Sequence, residues 1–214
     1  MNSTLTITDV QKQKKKTARR SIFINGEFSF GVGEETYVKF ALFKGREIDD
    51  DFIDEVKAWD ELYHAKQTAM NFVNSRRRSA REVAQKLRDR GYSVEAIEET
   101  QRFLKEYDML DDLAFARAWI NDRLLKRATG KAKLRMELMN KGVNKELITE
   151  ALSSIFNDEF ELQQAMEAAE KKAQKIRKED PRKWDQSMSS FLVGRGFGWD
   201  VIQKVLEKYR EERK

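Results

Sequence analysis

The sequence predicts a mainly α protein: tandem three-helix, helix-turn-helix-like repeats forming an elongated curved array, with a small N-terminal β-hairpin/α extension. Three observations predict it. Of the 214 residues, 37% are charged and one is proline, against roughly 25% charged in an average globular protein, which is the composition of helices with solvated outer faces. A helix–glycine–helix pattern recurs three times after Arg76. Before it, "SIFINGEFSF" alternates apolar residues around Asn25-Gly26, the dipeptide that favours a type I′ hairpin turn.

Taken in order, residues 1–20 end in "QKQKKKTARR" and read as a basic, disordered arm, either a solubilising tail or an electrostatic tether to phosphate. Residues 21–50 form the hairpin, with strands near 21–24 and 27–32, followed by a short helix. That helix carries Tyr37, Phe40, Ala41 and Lys44 on one face and stops at Gly45. Residues 51–78 form a connecting helix. Asp49, Asp50 and Asp51 precede it, and read as its cap and dipole complement.

The repeats align on Gly91, Gly142 and Gly196. Four residues before each glycine stands Leu87, Leu138 or Leu192, and six after it Ile97, Ile148 or Ile202. Two residues after it come Ser93, Asn144 and Gly198, acceptable helix N-caps. Each glycine is therefore expected in the left-handed conformation that closes one helix before the next begins. Ser79 and Glu82 are spaced as a capping box. Pro181 after Asp180 fits an N-cap followed by the first helical turn. The long segments Asp112–Arg127 and Asp158–Lys178 supply third helices. The expected units are 79–128, 129–179 and a partial third repeat, 180–214, without its third helix. Such units are too small to be stable singly and share their cores with neighbours.

Candidate chemistry is sparse. "YDMLDDLAFARAW" places Asp111 and Asp112 side by side. No further metal ligands stand at suitable spacing, so these aspartates read as a helix cap and an inter-helix hydrogen-bond acceptor. There is no cysteine, and His64 is the only histidine, which removes disulfides, thiolate metal sites and HExxH helices. "GVGEET" lacks a phosphate-binding lysine, and "GRGFG" lies between helices. No catalytic, cofactor-binding or metal residues are expected, and no enzyme. No apolar run reaches the roughly 18 residues that span a bilayer, and the N-terminus has no apolar signal core. The expectation is a cytoplasmic monomer without cofactors.

What remains is charge. Arg76, Arg77, Arg78, Arg123, Lys126, Arg127, Lys131, Lys133, Arg135, Lys141, Arg182, Lys183 and Arg195 recur near unit boundaries. They are the candidate surface for a polyanion or an acidic protein groove. The residues expected to build the scaffold are Ser79, Glu82, Leu87, Gly91, Asp111, Asp112, Phe115, Ala116, Gly130, Leu138, Gly142 and Gly196.

The stretch from Arg76 through "RRRSAREVAQKLRDRG", with "LDD" followed by "FA" and then a glycine, a leucine and "KG" in the second repeat, resembles the RecX family of recombination regulators. The likeness is strong over about residues 60–155 and looser over the third repeat, where "GRGFGW" departs from a plainer turn. The resemblance implies a partner, the RecA recombinase filament, bound along its groove. It also implies an effect: limited filament growth, with lowered ATP hydrolysis, strand exchange and co-protease activity. Direct contact with single- or double-stranded DNA, without RecA, is the competing reading.

Overall fold

The structure, a computed structural model, describes residues 5–13, 18–176 and 181–211. They fall into two compact units, Met1–Ser75 with Ala84–Met109, and Arg76–Val83 with Leu110–Lys214.

The first unit opens on strands β1 (Leu5–Lys12), β2 (Arg19–Ile24) and β3 (Glu27–Gly33). Helix α1 (Glu34–Lys39), the short β4 (Glu47–Ile48) and helix α2 (Asp50–Ser75) follow. The strands form one antiparallel sheet in the order β3-β2-β1-β4. Asn25 and Gly26 take φ of 51° and 89°, the pair of positive values that a type I′ turn requires.

Two expectations are corrected here. The arm at 1–20 is not wholly disordered: Leu5–Lys12 is a strand bonded to β2 on one side and β4 on the other. Leu5 and Ile7 alternate toward the core, where Ile7 is fully buried. The neighbouring lysines masked that short period-two signal. Lys14, Lys15 and Lys16 lie outside the described residues. The helix expected to run to Lys44 ends at Lys39, because the chain must double back to pair β4 with β1. Ala41 adopts φ 46° and Gly45 φ 90°, and the Gly45 N–H donates to the Ile7 carbonyl at 2.7 Å. The Arg46 guanidinium donates to the carbonyls of Phe40 and Ala41, replacing the helical partners those groups lose. Asp49 caps α2 as expected, accepting the Phe52 N–H at 2.8 Å.

The remaining helices are α3 (Ala80–Arg88), α4 (Val94–Glu106), α5 (Asp112–Lys126), α6 (Lys131–Asn140) and α7 (Lys145–Ile155), then α8 (Asp158–Ala173), α9 (Pro181–Arg195) and α10 (Trp199–Glu211). Gly91, Gly142 and Gly196 all have positive φ, between 78° and 86°. In each turn the residue after the glycine donates its N–H to the leucine carbonyl five positions back: Tyr92 to Leu87, Val143 to Leu138, Phe197 to Leu192. That is the Schellman closure. Ser93 and Asn144 cap the helices that follow, accepting from Ala96 and Glu146. Pro181 stands at the first position of α9; its expected cap, Asp180, lies outside the described residues.

The division into repeats also needs correction. One core joins Phe115, Ala116 and Ile120 of α5 with Leu134 and Leu138 of α6 and Ile148, Ala151 and Leu152 of α7. Another joins Ala165, Ala168 and Ala169 of α8 with Trp184, Met188 and Leu192 of α9 and Val201, Ile202, Val205 and Leu206 of α10. The long helix precedes each glycine-linked pair rather than following it, so the last unit is complete. Along the chain the long helix is equally close to the pair on either side. Only the packing of Phe115 and Ala116 against the later pair decides between them.

Candidate protein-interaction surface

The adjacent aspartates cap two different helices. The Asp111 carboxylate accepts the N–H groups of Leu113 and Ala114 at 2.8 and 3.0 Å, at the start of its own helix α5. Asp112 accepts the N–H of Ala80 at 2.8 Å, the first residue of α3. Both carboxylates serve backbone donors that a helix start leaves unpaired.

The same helix start is seated on a glycine turn. Ser79, fully buried, closes a capping box with Glu82 and donates its hydroxyl to the Lys141 carbonyl at 2.7 Å. A side chain on Gly142 would collide with Arg81. Glu82 then binds the Lys141 ammonium at 2.9 Å and the Arg76 guanidinium at 3.2 Å. Burial raises the Glu82 carboxyl, but its hydrogen bonds from Lys141, the Ser79 N–H and Arg76 outweigh that and hold it below the ordinary value.

The arrangement is repeated one unit on. The N-terminus of α6 meets the α9–α10 turn through its backbone: the Gly130 N–H donates to the Arg195 carbonyl at 2.9 Å and the Ala132 N–H to the Gly196 carbonyl at 3.0 Å. A Cβ on Gly130 would lie 2.2 Å from the Gly196 oxygen. Gly130 thus stands where Ser79 does, and Arg195-Gly196 where Lys141-Gly142 do.

These joints sort the candidate cations. Arg123 donates to Glu137 at 2.6 Å and lies 4.5 Å over the Trp119 ring, while Lys141 approaches the same ring at 5.0 Å. Lys131 pairs with the buried Glu161 at 2.8 Å. Lys133 donates to the Gly194 carbonyl and Arg135 to the Thr149 hydroxyl. Arg195 donates to the Ala128 carbonyl and covers Phe191. Burial, and next the charge of Arg127, lower the Arg195 guanidinium; burial, and next Arg76, do the same to Arg78. Arg77, Lys126, Arg127, Arg182 and Lys183 are exposed. Of the residues expected to build the scaffold, Leu87, Leu138, Phe115 and Ala116 are buried in the core.

Charge alone missed the apolar part of this surface. Leu125 is 86% exposed beside Lys126 and Arg127, at the edge of a hollow shared with Leu124, Ile155 and Phe160. A second notch is lined by Ala132, Lys133, Met136, Val193, Gly194 and Gly196, with Met136 and Val193 more than half exposed. Leu125 lies off the apolar stripe of its helix, which was the available signal.

The sequence matches four family descriptions in succession: the regulatory protein RecX N-terminal domain over residues 5–49, and the first, second and third three-helix domains of RecX over 65–104, 111–152 and 158–206. The chain belongs to the RecX family. The regulatory protein RecX of Clostridium acetobutylicum is 34% identical over 210 residues, 97% of each chain. That of Bacillus licheniformis is 36% identical over 203 residues, 94% of this chain and 76% of the relative. A crystal structure of a regulatory protein RecX superposes with a TM-score of 0.73 at 24% identity, covering 95% of this chain and 99% of that one. The RecX three-helix domains so matched start with the long helix, in agreement with the cores described above.

Proposed function

We propose that this chain is a non-enzymatic regulator that binds the RecA recombinase filament along its groove and restrains its extension. Filament ATPase, strand exchange and co-protease activity fall as a consequence, and the protein acts as a cytoplasmic monomer. Membership of a regulatory family supports the reading, and one observation carries it. The joint between α6 and the α9–α10 turn carries Arg195, half-buried and subject also to the positive charge of the exposed Arg127, and helices α5, α6 and α9 expose Leu125, Met136 and Val193. Positive charge together with exposed apolar side chains is the complement of an acidic protein partner. The exposed cations are those to test, since Arg123 and Lys141 are bound within the scaffold.

The experiment is RecA's ATPase on single-stranded DNA, with the protein added before and after filament assembly. Inhibition at amounts well below RecA is expected, weakened by combined Lys126→Glu and Arg127→Glu replacement while the melting temperature stays unchanged. An ATPase indifferent to the folded protein in both orders of addition rules the reading out. Arg77 in the run Arg76–Arg78 is exposed and favours a second reading, direct binding to DNA phosphates. In that case binding falls steeply with salt and does not need RecA.

A further inference from the structure

Gly194 is a glycine that the fold does not use. Gly91, Gly142 and Gly196 need positive φ, and Gly130 is pressed against backbone. Gly194 has neither reason: its backbone is helical within α9, it is exposed, and a Cβ built there meets nothing within 4 Å. Glycine is among the least favourable residues in a helix. The other two turns carry a side chain at the matching position, two residues before the turn glycine: Asp89 in the first and Asn140 in the second. Only the third turn is cleared.

The clearance opens onto the notch between α6 and α9, with the apolar walls Met136 and Val193 and the rim cation Lys133. Arg195, the next residue, has its guanidinium turned to the Ala128 carbonyl, and Arg127 adds positive charge nearby. A site with a floor free of side chain at Gly194, two apolar walls and a rim cation, Lys133, resting on the Gly194 carbonyl fits a peptide passing close by, one apolar side chain entering and carboxylates flanking it.

We infer that this notch captures a short acidic segment of a partner protein, anchored by one large apolar side chain, with Gly194 kept small so that the segment can approach. The inference takes its partner from the proposed function: the segment belongs to the filament protein. The notch itself is tested without that protein.

The full chain is titrated, by fluorescence anisotropy, into a labelled peptide bearing a central phenylalanine flanked by aspartates. The variants are Gly194→Leu, which fills the notch, and Gly194→Ala, which fills it partly. Neither side chain meets a neighbour at its Cβ, so both variants are expected to melt at or above the wild-type temperature. Binding is expected to weaken about tenfold or more for Gly194→Leu, and less for Gly194→Ala. It should weaken similarly when the peptide's phenylalanine becomes serine. Equal binding by wild type and a folded Gly194→Leu, or no binding by wild type, overturns the notch. So does binding of a single-stranded oligothymidylate, in place of the peptide, that Gly194→Leu abolishes. RecA ATPase inhibition is measured on the same proteins. Inhibition undiminished in Gly194→Leu overturns the notch and leaves filament binding standing. Peptide binding lost in Gly194→Leu, with no wild-type effect on the filament, keeps the notch and assigns its segment to another protein.

Discussion

Where α3 meets the α6–α7 turn, side chains seat the helix start; where α6 meets the α9–α10 turn, backbone hydrogen bonds seat it, with the Lys133 and Arg195 side chains added at its edge. The first joint uses the Ser79 hydroxyl on the Lys141 carbonyl and the Glu82 carboxylate on the Lys141 ammonium. The second uses the N–H groups of Gly130 and Ala132 on the carbonyls of Arg195 and Gly196. The same problem, unpaired donors at a helix start, is solved once with a capping serine and once by removing the side chain so that a turn can supply the acceptors. A side-chain joint can be tuned by pH and by conservative substitution. A backbone joint tolerates no added atom.

The largest expected difference follows from that. Gly130→Ala would place a Cβ against the backbone of both Gly196 and Phe197, which neither joint partner can vacate. Overpacking of this kind costs about 3 kcal/mol, read as a lowered denaturation midpoint. Ser79→Ala in the other joint loses the cap of α3 and leaves the Lys141 carbonyl short of a donor, about 2 kcal/mol. A Gly130→Ala cost no larger than that of Ser79→Ala would mean that the backbone joint has slack the close approach conceals.

A smaller effect separates the two aspartates. Asp111→Ala and Asp112→Ala should each cost about 1 kcal/mol, the usual value of a lost cap. Their coupling to Ser79 differs. Asp112 and Ser79 both serve the start of α3, so the double variant should depart from additivity, whereas Asp111, which caps α5, should add to Ser79→Ala. Equal coupling of both aspartates in a double-mutant cycle would remove the division of labour between them.

Much of this was legible locally. The three glycine turns, the hairpin at Asn25-Gly26, the capping box at Ser79–Glu82 and the cap role of Asp111 each depend on residues within a few positions of one another. What was hidden depends on distance. An inter-helix bond from the aspartate pair was expected, but not that Asp112 serves a helix 32 positions away, nor that Ser79 reaches a carbonyl 62 positions away; no spacing in the sequence announces either partner. Strand β1 was obscured because its period-two pattern is short and its partners stabilise it from outside. The long helices were assigned to the wrong pair because chain proximity is symmetric and packing is not. Among the candidate cations, charge and position marked all alike, and only the structure separates Arg123, spent on Glu137 and Trp119, from the exposed Lys126 and Arg127.

The smallest expected effect is the most selective for the side-chain joint. Glu82 is held below its ordinary value of 4.5, so its deprotonated form is favoured by folding. A carboxylate of this kind contributes stability that is fully present above about pH 4.5 and is lost as pH falls through its lowered titration. The partly exposed pairs it makes with Lys141 and Arg76 limit the contribution to under about 1 kcal/mol. Glu82→Gln cannot ionise and should flatten that part of the stability-against-pH curve below about pH 4.5, while leaving the slope near neutrality alone. Gly130 and Gly196 meet through groups that do not titrate, so a variant of the second joint should keep the acid slope of the wild type. An acid slope that survives in Glu82→Gln would place the responsible carboxylate elsewhere.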